Sequence, residues 1–138
     1  MPNIIGNTTK TLFIVTESHK LGVAFKAAAA IKAAQPVKLN GDGDIIPFVA
    51  ADSAHLCIGY AIKDAAIGVD VTVTTKGFQV ITAQAKESLV AGPVKYDAYD
   101  AATGLHSFTQ VTVLAAEANG WSLTKQTSIK GEIEVLLF

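Results

Sequence analysis

The chain has 138 residues, half of them apolar and 17% charged, with a formal net charge of -1. That length suits one domain with a sizeable core, and that balance excludes a disordered chain and gives no field that would draw nucleic acid or an acidic membrane. Arginine, whose planar fork favours phosphate, is absent, and the lysines are scattered. Residues 1–10, MPNIIGNTTK, are polar and turn-like. They lack the basic region and apolar core of a secretory signal, so the glycosylation sequon at Asn7-Thr8-Thr9 is expected to be incidental. Thr11–Thr16 (TLFIVT) reads as a strand, rich in β-branched and aromatic residues. Leu21–Phe25 is a weaker strand candidate.

Ala27–Ala34 (AAAAIKAA) has the highest helix propensity in the chain and must stop before Pro36, so a short helical turn is expected. Val37–Leu39 and Ile45–Val49 flank Asn40-Gly41-Asp42-Gly43, a hairpin signal, because glycine accepts the positive φ of tight turns. Leu56–Ile62 is a near-continuous apolar run and reads as a strand buried on both faces. Val69, Val71 and Val73 alternate with polar residues, as a half-exposed strand would. Lys76-Gly77 makes the next turn, after which Phe78, Val80 and Ile81 resume the sheet. Val94–Tyr96, Leu105–Val113, Trp121–Leu123 and Ile133–Phe138 follow. Short strands at this spacing predict an all-β fold, a compact β-barrel or sandwich. Its expected core includes Trp121, Phe108, Phe48, Ile58, Cys57 and Val71. No apolar run approaches the ~20 residues of a membrane span.

Two stretches, 35–73 and 92–135, align with small gaps and predict an internal duplication. Pro36-Val37-Lys38-Leu39 matches Pro93-Val94-Lys95-Tyr96, preceded by Ile31 with Ala33 and by Leu89 with Ala91. Each stretch then passes a Gly/Asp-rich turn and reaches a phenylalanine, Phe48 or Phe108. Gly59-Tyr60-Ala61-Ile62 matches Gly120-Trp121-Ser122-Leu123, and Gly68 with its valines matches Gly131 with Ile133 and Val135. Residues 21–138 are thus expected to form a single β domain, preceded by an N-terminal extended arm over 1–20.

Catalytic and metal chemistry find little support. Asn40, Asp42 and Asp44 have the opening spacing of an EF-hand loop, but Ile45 stands where its glycine should and Ala51 where its glutamate should. Asp97, Asp100 and Gly104 form a second acidic turn. His19, His55 and His106 lack the spacing of a zinc pair, and Asp52-Ser53-Ala54-His55 is only a local juxtaposition of triad residue types. Glu132 and Glu134 share one solvated strand face. Cys57, the single cysteine, sits in an apolar run and reads as a buried small hydrophobe in a protein that folds in a reducing cytoplasm. Trp121 could serve as a sugar platform, but its match to Tyr60 favours packing. No enzyme and no cofactor are expected.

AAIKAAQPVKLNGDGDIIPF, IGYAIKDAAIGVDVTV and KGEIEVLLF together resemble the small head-decoration, or capsid-cement, proteins of tailed bacteriophages. In that family an apolar-x-Ala-Gly-x-x-Val opening leads to a strand, a Gly/Asp hairpin and a return through an Ile-Gly-aliphatic step. Ala34 replaces the opening glycine in the first copy, whereas Gly92 supplies it in the second. The segment before Leu21 has no counterpart in the family. The resemblance implies a non-enzymatic virion protein, made in the host cytoplasm, that binds the outer surface of an assembled head and clamps its major capsid protein. It also implies a homo-oligomer, with a trimer favoured, and no contact with nucleic acid or membrane.

The expected contacts with capsid or neighbouring subunit lie in the arm, at Asn3, Ile4, Ile5, Asn7, Thr8, Thr9, Lys10, Leu12 and Phe13. The apolar strand there can pair with the edge of its own barrel or add to a neighbouring subunit's sheet, since unpaired edges recruit strands; the alternative is a frayed tail followed by an ordinary first strand. The competing readings are a phage tail, fibre-base or carbohydrate-binding β module, and a small barrel enzyme.

Overall fold

The computed structural model describes residues 22–74, 80–112 and 117–137. The arm, the Thr11–Thr16 strand, His19, the Lys76-Gly77 turn with Phe78, and Phe138 lie outside the described residues. The strands are β1 (Gly22–Lys26), β2 (Pro36–Leu39), β3 (Ile45–Pro47), β4 (Gly59–Ala61) and β5 (Asp70–Thr74), then β6 (Val80–Ala85), β7 (Gly92–Asp100), β8 (Leu105–Gln110), β9 (Gly120–Ser122) and β10 (Glu132–Leu137). The fold is all-β, as the strand spacing predicts. β1–β5–β4–β2–β3 is an open sheet, and β6–β10–β9–β7–β8 closes on itself as a barrel.

The second order is the first displaced by five strands, and the registers agree residue by residue. Pro36 faces Tyr60 and Val37 faces Gly59; Pro93 faces Trp121 and Val94 faces Gly120. Ala61 faces Val73, and Ser122 faces Val135. Ile31 bridges Ala65 where Leu89 bridges Gln126. The glycines of the two matched Gly-aromatic steps have one physical reason. A Cβ on Gly59 would meet Thr74 O and the Val73 side chain, and one on Gly120 would meet Leu136 O and the Val135 side chain.

Two of the expected matches shift. Phe108 bridges Ala85 in parallel as Ile45 bridges Ala27, so the counterpart of Phe108 is Ile45. Phe48 corresponds instead to Val111: their amides donate to Pro36 O and Pro93 O. Gly68 corresponds to Lys130, not Gly131, since each donates its amide to the strand-end alanine, Ala27 or Ala85. Both have positive φ, 86° and 63°. The repeated scheme also takes in β1 and β6, which lie before the stretches aligned by sequence.

Inward positions fill the two interiors in parallel: Ile31 and Leu89, Val37 and Val94, Ile45 and Phe108, Val71 and Ile133, Val73 and Val135 are all buried. Each large aliphatic side chain contributes about 1.5–3 kcal/mol on full burial. The second sheet closes because its hairpin is longer. β7 and β8 have nine and six residues against four and three in β2 and β3. β8 therefore reaches β6 through two parallel pairs, whereas β3 meets only Ala27, just past the end of β1, in the single bridge Ala27–Ile45 among the described residues.

Ala27–Ala34 is not helical. Ala28 N donates to Ile45 O, Ile31 exchanges both backbone bonds with Ala65, and Ala34 N donates to Ala61 O. These long-range bonds override the local propensity, and Ala34 takes φ 64°. Leu56–Ile62 also departs from expectation. Ala54–Leu56 forms a 3-10 turn, the strand is confined to Gly59–Ala61, and Leu56 and Ile62 are exposed. The Asn40–Asp44 hairpin forms as predicted, with Leu39 facing Ile45.

Candidate interaction surface

The nine expected contact residues, Asn3 to Phe13, lie outside the described residues. The remaining candidates can be placed. Asn40 Oδ1 accepts from the amides of Asp42 and Asp44 at 2.9 and 3.0 Å, so the side chain that would open a calcium loop locks a turn instead. Asp52 pairs with Lys38 at 2.7 Å and accepts from Val49 N. The Lys38 hydrogen bond, then the Val49 amide, hold its carboxyl below the ordinary range. His55 is exposed on the 3-10 turn. Among the described residues no three His, Cys, Asp or Glu side chains could hold a metal ion.

The acidic turn of the barrel is also internally satisfied. Asp97 lies in the bulge between Tyr96 and Ala98, where it pairs with Lys86 and accepts from Ser107 Oγ. Asp100 accepts from Gln84 and pairs with Lys130, and these bonds lower its pKa to about 2. These residues, with Tyr99 and Ile129, line a cleft of about 320 Å³.

Tyr60 of β4, Phe48 just after β3 and Cys57 after the 3-10 turn pack into the core of the barrel. Phe48 meets Tyr96 edge-on, centroids 6.5 Å apart. A buried polar chain runs beside this contact. His106 Nε2 lies 2.8 Å from Ala33 O; a carbonyl only accepts, so Nε2 carries the proton. His106 Nδ1 then accepts from Tyr96 Oη at 2.9 Å, and Tyr96 Oη accepts from Gln35 Nε2 at 3.0 Å. Burial lowers the His106 pKa and raises that of Tyr96 to about 12. This chain joins the two sheets and holds them in one relative position.

Trp121 is not a core residue: it is 43% exposed. Its neighbours Gly120 and Ser122 are buried, so strand alternation turns the indole outward. Leu136 pairs with Trp121 on one side and with Val80 on the other. Pro93 pairs with Trp121 across the opposite edge. Val80–Leu136–Trp121–Pro93 is therefore an apolar row across four strands of the barrel's outer face. Thr82 and Glu134, both exposed, form the polar row beside it. Sequence could supply the residues of this row, but their alignment depends on register.

No family model and no curated protein matches the chain. Among solved structures, the chain is similar to the head fiber gp8.5 N base of bacteriophage phi29, with a TM-score of 0.55 and 12% identity. The two share a fold. The match covers 86% of this chain and 93% of that one, so it spans both sheets rather than a single barrel.

Proposed function

We propose that the chain is a non-enzymatic structural protein of a tailed-phage virion, seated on the outside of the head in the manner of a fibre base. The observation that carries this reading is the fold likeness to a head fiber base over 86% of the chain. The capsid-cement reading drawn from the sequence resemblance is the finer alternative on the same shell. The two differ in consequence: a fibre base leaves the rupture temperature of the head unchanged, and a cement protein raises it.

Residues 1–20 are the attachment arm in this proposal, and Asn3, Ile4, Ile5, Asn7, Thr8, Thr9, Lys10, Leu12 and Phe13 contact the major capsid protein or a neighbouring subunit. Residues 21–138 form the β domain, and the repeated pairing scheme reflects tandem duplication. The protein works as a homo-oligomer, with a trimer favoured, because weak single sites become tight when copies are linked. Its place is the outer surface of the virion, away from nucleic acid and membrane. Cosedimentation with heads lacking the protein tests the arm. Removing residues 1–10 is expected to leave the melting temperature intact and abolish cosedimentation; retained binding would move the contact to the barrel loops.

A further inference from the structure

The barrel closes on itself, whereas the open sheet ends on β1 and β3. β3 is three residues long and ends on Pro47, which blunts it. β1 is five residues, Gly22-Val23-Ala24-Phe25-Lys26, with no proline and no charge before Lys26. Just past its end, Ala27 N donates to Val69 O on the β5 side, and Ala28 N donates to Ile45 O on the other. Strand alternation therefore turns the amides and carbonyls of Gly22, Ala24 and Lys26 away from β5. On that side β1 has no neighbouring strand among the described residues. The apolar interior is open at the same place. Val23 and Phe25 face Val73 and Val71, as Ile81 and Ala83 face Val135 and Ile133 in the barrel. Ile81 and Ala83 are buried, but Val23 is 56% exposed and Phe25 only half-buried.

An apolar edge without charge or proline is a template for a further strand. We infer that the β1 edge takes residues 11–16 of a second copy, TLFIVT, which lie beside β1 and extend the open sheet. Five residues, Glu17-Ser18-His19-Lys20-Leu21, separate that segment from β1 in the chain. They include no Gly, Asn or Asp, the residues that accept the positive φ of hairpin turns. The segment therefore does not fold back on its own β1 and passes to a neighbour. Leu12 and Ile14 fall on one face of the added strand and Phe13 and Val15 on the other. Whichever face turns inward, an apolar pair comes to lie beside Val23 and Phe25. Each copy gives one strand and receives one. Two different surfaces meet, so copies join head to tail and close into a ring, the symmetry of a trimer. The inference rests on the proposal that the protein is a homo-oligomer whose arm reaches a neighbouring subunit, and it names the edge that receives the arm. Residues 1–10 stay free to contact the shell.

The test is the mass of the full chain in solution, by sedimentation velocity, for wild type and two full-length variants. Ala24→Pro removes an amide that faces away from β5, so the edge is blocked and no bond to β5 is lost. Phe13→Pro combined with Ile14→Pro removes the amide that the added strand turns toward β1, whichever of the two it is. Far-UV circular dichroism and cooperative melting verify the fold of each variant. Wild type is expected to associate, and each variant alone to be monomeric. An equimolar mixture of the two variants is expected to form a dimer and nothing larger, because it holds one intact strand and one intact edge. A monomeric wild type would mean that the edge is filled within the chain or by another protein, and would overturn the inference. A variant that associates as wild type does, or a mixture that stays monomeric, would overturn it as well. None of these outcomes bears on whether the chain binds heads, which is measured separately.

Discussion

Tyr60 and Trp121 occupy the same position in two sheets of identical strand order, and the tyrosine is fully buried while the tryptophan is 43% exposed. Each stands opposite a proline and follows a glycine whose Cβ would strike the next strand. The strand scheme fixes the direction of the ring, and the neighbouring layer decides whether the ring is covered. The two residues should therefore differ in their share of stability. Tyr60→Ala is expected to cost about 3–5 kcal/mol, as truncation of a buried aromatic does. Trp121→Ala should stay within about 1 kcal/mol, nearer the surface range. Urea denaturation of both variants checks this, and equal losses would contradict it.

The glycines of the two steps should prove non-interchangeable with alanine. Gly59 lies against Thr74 O and Gly120 against Leu136 O, 2.8 Å from where a Cβ would stand in the second case. Backbone cannot rotate away as a side chain can, so either alanine separates two paired strands. Gly59→Ala and Gly120→Ala should each lose at least about 1–3 kcal/mol, the cost of an overpacked interior. Gly41→Ala, with nothing near its Cβ, is the control and should be nearly silent in thermal melts.

Acid should loosen the joint between the sheets. In the chain Gln35–Tyr96–His106–Ala33 the imidazole is neutral, one nitrogen accepting and the other donating. Burial holds its pKa below the ordinary 6.5, against a smaller upward pull from the Ala33 bond and from Asp64. The unfolded chain therefore binds the proton first. The stability held by the neutral ring is fully present above 6.5 and is lost as pH falls from there through the lowered folded value. Asp52 and Asp100, also lowered in the folded state, lose their contributions only as pH falls below the ordinary carboxylate value of 3.8. A melting-temperature profile should show a decline beginning near 6.5 that His106→Gln removes. A flat profile down to the carboxylate range would count against the network.

Calcium should have no effect on the Asn40–Asp44 turn, whose amides already occupy Asn40 Oδ1. Melting temperatures with calcium and with chelator are expected to coincide, because a ligand of the folded state must raise them. Asn40→Ala should cost about 0.5–1.5 kcal/mol through the lost turn bonds.

What sequence revealed depended on how tightly a residue's type is tied to backbone geometry. Pro36 opens β2 and Pro93 is the second residue of β7, and Gly59 and Gly120 admit a close neighbour, so these positions aligned correctly. Phe48 and Phe108 misled because a core phenylalanine suits many inward positions; the true counterparts are Ile45 and Val111. β1 and β6 share only alternation, GVAFK against VITAQA, and escaped the alignment. The helical reading of Ala27–Ala34 failed because its backbone bonds go to Ile45, Ala65 and Ala61, partners distant in sequence. The apolar row was invisible for the same reason, since Val80, Leu136, Trp121 and Pro93 meet through register alone.

If this β protein occupies the outside of a phage head, as proposed, it must add density there. Electron cryomicroscopy of heads assembled without the protein, before and after incubation with the full chain, measures it most directly. Additional density is expected at regularly spaced positions on the outer surface, with a shape that accommodates the open sheet and the barrel. Outer surfaces indistinguishable before and after incubation, at concentrations that saturate any measurable binding, would contradict it.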